Sequence, residues 1–105
     1  MTPQTFRKKP VEIQARQLTA ENVAEVAEWC GGLNVADLEW DYSQGAYYVP
    51  DGGGYVFAPF KTPGLVIRTL EGDHFAELTS FVICGVKGEF YSCKADIFAA
   101  TYERI

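Results

Sequence analysis

Val11-Glu12-Ile13-Gln14-Ala15-Arg16-Gln17-Leu18-Thr19-Ala20-Glu21-Asn22-Val23-Ala24-Glu25-Val26-Ala27-Glu28-Trp29-Cys30-Gly31-Gly32 changes its hydrophobic period part-way along, and that change decides the fold class. From Lys9 the residues alternate, with Val11, Ile13 and Ala15 on one side and Glu12, Gln14 and Arg16 on the other, which predicts a half-buried strand. Pro10 lacks an amide donor and suits the start or edge of such a strand. After Leu18 the period becomes helical. Val23, Val26, Ala27 and Cys30 follow i, i+3, i+4, i+7 spacing, while Glu21, Glu25 and Glu28 fall on the opposite face. Thr19 is the expected N-cap, with Leu18 and Val23 placed for a hydrophobic staple, and Gly31-Gly32 ends the helix.

The remainder reads as short strands punctuated by turns. Leu38, Trp40 and Tyr42 alternate with Glu39 and Asp41 before a Ser43-Gln44-Gly45 turn, and Tyr47 to Val49 runs into the break at Pro50 to Gly54. Strands are expected at Tyr55 to Phe60, Leu65 to Leu70 and Phe75 to Leu78, with a turn at Glu71-Gly72-Asp73. The nearly continuous apolar run Phe81 to Val86 predicts a central strand. Lys87-Gly88 then turns the chain into Glu89 to Cys93, a single helical turn covers Asp96 to Ala100, and Tyr102 to Ile105 is expected to close the sheet. The whole predicts one α+β domain, 1–105: a curled antiparallel sheet or small barrel of about seven short strands, with one α-helix packed on it after the first strand.

The chain carries 9 Lys and Arg against 14 Asp and Glu, a net charge of -5. Nucleic-acid binders gain affinity by neutralising phosphates with basic residues, so general nucleic-acid binding is not expected. The one basic run, Arg7-Lys8-Lys9, is short. Hydrophobic residues make up 48% of the sequence, enough for a core at this length without staples. The longest stretch free of charge and glycine, Leu78 to Cys84, is far short of the ~20 residues that span a bilayer, and no apolar leader follows Met1. Cys30, Cys84 and Cys93 form no CxxC pair, so free thiols and a reducing compartment are expected.

Chemistry-bearing patterns are few. Gly52-Gly53-Gly54 precedes strand sequence, not a helix with Lys-Ser/Thr, so it reads as a hairpin loop and not a phosphate cradle. Cys84 and Cys93 lie on opposite arms of the last hairpin, near enough in sequence to approach across a ladder, but His74 is the only histidine and four zinc ligands are not in prospect. His74 falls in a polar turn and no nucleophile, base and orienting group stand out, so no enzyme, metal or cofactor is expected. The aromatic residues are the exception. Trp40, Tyr42, Tyr47, Tyr48, Tyr55 and Phe57 crowd two adjacent hairpin segments, and strand alternation sends only half of them inward. The others either pack on a covered face or form a contact surface.

The stretch Gly85-Val86-Lys87-Gly88-Glu89-Phe90-Tyr91-Ser92-Cys93-Lys94-Ala95-Asp96-Ile97-Phe98-Ala99-Ala100-Thr101-Tyr102-Glu103 resembles a family of small proteins of tailed bacteriophages, especially those of actinobacteria, whose ending reads GVKGEFYPCKPDIFxxTYE. Phe6 to Ala15 is similar to the basic opening strand of that family, and Ala20 to Gly32 to the helix after it. The chain has Ser92 and Ala95 where the family carries prolines, and Leu78-Thr79-Ser80-Phe81 where it carries a Pro-Gly-Asp-aromatic turn. The resemblance implies a viral origin and the cytoplasm of an infected bacterium, with no activity attached. In the motif, Gly85 and Gly88 allow a tight hairpin, Phe90, Ile97 and Phe98 are expected to plug the core, and Tyr102 to close the sheet. Lys87, Glu89 and Lys94 are polar beyond what packing requires, with Tyr91 beside them.

Three functions follow as expectations. The first is a non-enzymatic accessory protein that binds a host or phage protein. The second is a small-ligand binder holding a nucleotide-like molecule between Tyr47 and Tyr48 with Lys87 and Lys94, in a counter-defence role. The third is a homo-oligomeric structural or assembly protein. The binding candidates are Trp40, Tyr47, Tyr48, Lys87, Glu89, Tyr91 and Lys94.

Overall fold

The computed structural model describes residues 2–7 and 9–105. Its best-marked helix, α1 (Val23–Cys30), buries Val23, Val26, Ala27 and Cys30, the stripe read from the sequence. The helix starts later than expected, because Asn22 and not Thr19 stands at its N-cap. The Asn22 side chain instead ties down the preceding turn: its Oδ1 accepts from the Thr19 amide (2.8 Å) and its Nδ2 donates to the Gln17 carbonyl (2.9 Å). Gly31 ends α1 in the left-handed conformation (φ 67°), where a Cβ would be strained.

Before α1 runs β1 (Gln14–Gln17); after it come β2 (Leu33–Asn34), a 3-10 turn at Val35–Asp37, β3 (Glu39–Asp41), β4 (Ala46–Val49), β5 (Gly54–Val56), β6 (Gly64–Thr69), β7 (Gly72–Glu77), β8 (Phe81–Cys84), β9 (Phe90–Cys93) and helix α2 (Ala95–Thr101). The α+β antiparallel character is as expected, but the curled single sheet or barrel is not. Nine strands among the described residues divide into three sheets ordered β1-β8-β9, β2-β6-β7 and β3-β4-β5, none closed. The strands are short because Pro50, Pro59, Pro63 and the glycine turns interrupt them, so no ladder is long enough to wrap round.

The β2-β6-β7 sheet is the middle layer. Leu65, Ile67 and Ala76 face one core with α1, Leu18 and Val82, whereas Val66, with Phe75 against it, faces a second core of Val35, Tyr47, Val49 and Val56. This two-sided burial explains the unbroken apolar run Leu65-Val66-Ile67 in β6. The β1-β8-β9 sheet thus belongs to the first core and the β3-β4-β5 sheet to the second.

Three further expectations change. The strand read from Lys9 begins only at Gln14, because its partner register ends at Gln14↔Cys84. The next residue of β8, Gly85, is already committed to the hairpin, donating to the Glu89 carbonyl (2.8 Å). The C-terminal helical turn is a seven-residue helix, and no strand follows it at 102–105. Tyr102 stacks on Phe98 (centroids 4.9 Å), which stacks on Phe81 (3.8 Å), so a column of rings attaches α2 to β8. Phe90 packs on the first core as expected, in edge contact with Trp29 (5.1 Å), but Ile97 is 54% exposed and plugs nothing. His74 lies in β7, since the hairpin pairs Thr69 with Gly72 and leaves Leu70-Glu71 as its turn.

Candidate functional site

The β3-β4-β5 sheet gathers the aromatic residues, and its register sorts them. Trp40 pairs with Tyr47 and Tyr47 with Val56, placing these three on the face that covers the second core. Tyr48 pairs with Tyr55 on the opposite face, their rings 5.8 Å apart and edge-on. Tyr47 is only 5% exposed, and its hydroxyl accepts from the Lys61 amide (3.0 Å). It is a core residue. Trp40 is half-buried at the rim, in contact with Tyr47 (4.9 Å) and with Phe60 (4.7 Å). Beyond the rim Tyr42 meets Trp40 at 6.4 Å and Phe60 at 5.7 Å. The Lys61 ammonium lies 5.4 Å from the centre of the Phe60 ring, a cation–π contact.

The sequence left open whether this cluster is core or surface; it is both. Tyr42 is 79% and Phe57 70% exposed, and Tyr48, Tyr55 and Phe60 stand exposed with them. On the outer face Asp41 fixes the pair. Its carboxylate accepts from the Ser43 hydroxyl (2.6 Å), the Ser43 amide (2.9 Å) and the Tyr55 hydroxyl (3.0 Å). The Ser43 hydroxyl first, and then Tyr55, hold the Asp41 carboxyl below its usual range, and the same bond pushes the Tyr55 phenol up. Tyr55 is therefore a neutral, oriented ring at neutral pH.

The C-terminal candidates sit on the other outer layer. Lys87 is exposed at the β8–β9 turn. Glu89 folds back over Gly85, where a Cβ would collide with it, and its Oε1 accepts from the Lys87 amide (3.3 Å). Its carboxylate shapes the turn. The Tyr91 and Tyr102 hydroxyls are 3.3 Å apart, and this bond, with burial, pushes the Tyr91 phenol up to about 12. Lys94 is the N-cap residue of α2.

The four residues expected around a nucleotide-like ligand are not brought together. Tyr47 and Tyr48 point to opposite faces of β4, Lys87 caps a hairpin of the far sheet, and of the four only Lys94 borders the open cleft described next. Cys84 and Cys93 do not approach each other either. Cys84 pairs with Phe90 and Cys93 with Phe81, three positions apart along the ladder and hence on opposite faces. All three cysteines are free, and burial raises the Cys30 thiol. Among the described residues no group of three metal-ligating side chains forms, and no helix is long and apolar enough to cross a membrane.

One feature escaped the sequence reading. A cleft of about 550 Å³ runs beside β7, bordered by Phe75 and Glu77, by Pro59 and Thr62 before β6, by Ser92 and Cys93 at the end of β9, and by Lys94 and Ile97 at the start of α2. Only tertiary packing assembles it. Phe60 and Lys61 were also missed as contact residues; their position between Pro59 and Pro63 was the available hint that they form a loop. No family model, curated protein or solved structure matches the chain.

Proposed function

We propose that the protein is a non-enzymatic binding protein whose contact surface is the exposed aromatic rim of the β3-β4-β5 sheet around Trp40. The observation that carries this reading is the pair Tyr42 and Phe60, exposed beside the half-buried Trp40, with Lys61 over the Phe60 ring. Rigid aromatic rings with a cation at the margin are the composition of protein interfaces, where such residues bury large area at low entropic cost. The partner it fits is a protein surface with an apolar centre and acidic rim groups for Lys61. The resemblance of 85–103 to a phage family supports action on a host or phage protein in the cytoplasm of an infected bacterium. Capture from bacterial lysate tests this, comparing the wild type with a Tyr42→Ser, Phe60→Ser double variant. A defined partner retained by the wild type and lost by the variant is expected; equal retention, or no partner above background, refutes it.

A further inference from the structure

β7 bonds only to β6 and β9 only to β8, although β7 and β9 lie close together, so the cleft of about 550 Å³ sits at a seam between two sheets. That volume lies within the roughly 300–1,000 Å³ typical of small-molecule sites.

The polar groups around the seam are unmatched. Glu77 borders the cleft from β7 and Lys94 from the start of α2, and neither forms an ion pair, with the other or elsewhere, among the described residues. Ser80 borders it too and is only 4% exposed. Its hydroxyl has no hydrogen-bond partner among the described residues, where every fully enclosed side-chain oxygen and nitrogen has one, so that hydroxyl opens onto the cleft. A polar group in such a position costs stability unless a ligand or water satisfies it. The turn that carries it is strained as well. Thr79, a β-branched residue at φ 75°, immediately precedes Ser80, and strain of this kind recurs at ligand clamps.

These groups divide by side. The Ser80 amide donates to the Glu77 carbonyl (3.2 Å), so the Ser80 hydroxyl and the Glu77 carboxylate belong to one tight turn and form the acceptor side of the cleft. Lys94 is its cationic side. Phe75 and Ile97 supply an apolar wall, and the 54% exposure of Ile97 leaves much of that wall uncovered.

We infer that the cleft binds a free α-amino acid with an apolar side chain. Its ammonium donates to the Ser80 hydroxyl and the Glu77 carboxylate, its carboxylate accepts from the Lys94 ammonium, and its side chain covers Phe75 and Ile97. An α-amino acid is the smallest molecule that carries an ammonium, a carboxylate and an apolar group on one centre. A basic, an acidic or an uncharged ligand leaves at least one of the two protein charges unmatched.

Amide NMR titration of the isotope-labelled full chain tests this. The probes are L-phenylalanine, phenethylamine (no carboxylate), hydrocinnamate (no ammonium) and N-acetyl-L-phenylalanine amide (neither charge). L-Phenylalanine is expected to bind with a Kd on the order of 1 mM and to shift the amides of Glu77, Ser80 and Lys94. Each probe lacking a charge binds about threefold to tenfold more weakly. Lys94→Gln weakens L-phenylalanine by a similar factor and leaves phenethylamine unchanged, whereas Glu77→Gln weakens L-phenylalanine and does not weaken hydrocinnamate. Both positions are exposed, so the fold tolerates these replacements. No shift at about 10 mM L-phenylalanine, shifts confined to residues away from the cleft, an uncharged probe that binds as tightly as L-phenylalanine, or indifference to both replacements overturns the proposal.

Discussion

Replacing Tyr42 by Ser, and separately Tyr47 by Ala, probes the division of the aromatic cluster into surface and core. Tyr42 is 79% exposed and touches Trp40 and Phe60 only edge-on. Each such pair contributes about 0.5–1.5 kcal/mol when packed, and surface changes usually lie within about 0.5 kcal/mol, so Tyr42→Ser is expected to cost about 0.5–1 kcal/mol. Tyr47 is 5% exposed among Val35, Val49, Val56 and Val66, and its hydroxyl accepts from the Lys61 amide. Truncating a buried aromatic costs about 3–5 kcal/mol, a large part of the roughly 5–15 kcal/mol that holds a small domain folded. Urea unfolding followed by tryptophan fluorescence measures both; in melting temperature the gap of about 3 kcal/mol corresponds to roughly 12 °C or more. If Tyr42→Ser cost above about 2 kcal/mol, or Tyr47→Ala below about 1 kcal/mol, the assignment of the two rings would be wrong, and the contact surface with it.

Other predictions concern the turns and the tyrosine pair. Thr79 has φ 75°, a left-handed conformation that costs a β-branched residue about 1–2 kcal/mol, so Thr79→Gly is expected to stabilise by about 0.5–1 kcal/mol in urea unfolding, net of glycine's chain entropy; a destabilising result would contradict the turn geometry. The Tyr91 phenol, held up near 12 chiefly by its bond to Tyr102, should titrate late in ultraviolet absorbance, and Tyr102→Phe should bring it back towards 10. Because its folded value lies above the unfolded one, its stabilisation is complete below pH ~10 and fades as pH rises towards 12. Stability that increased over that interval would refute this. Leu65→Ala should cost about 2–5 kcal/mol, since that side chain is fully buried against α1.

What could be read in the sequence follows from which interactions are local. The α1 stripe Val23, Val26, Ala27, Cys30 was legible because helical periodicity is a property of neighbours, and so was the central position of Phe81 to Cys84. The late start at Asn22 was not, because it depends on the carbonyl of Gln17 as well as on helix signals. Division into three sheets was also hidden: alternation identifies strands but not their partners, and β6 reads the same whether it lies in a barrel or between two cores. In the site, alternation required half of the rings to face outward, but Tyr47 and Tyr48 were not separable without knowing which face is covered. Glu89 looked free to bind and is instead held over Gly85. The cleft beside β7 joins residues from Pro59 to Ile97, a long-range assembly that no local pattern encodes.

The contact surface is tested most directly by photo-crosslinking in bacterial lysate, with a photoreactive phenylalanine placed in turn at Tyr42, Phe60 and Glu28. Glu28 is an exposed position on α1, in the layer away from the aromatic sheet. The account predicts one discrete protein adduct from positions 42 and 60 and none from 28. Adducts of equal yield from all three positions, or from 28 alone, would contradict it.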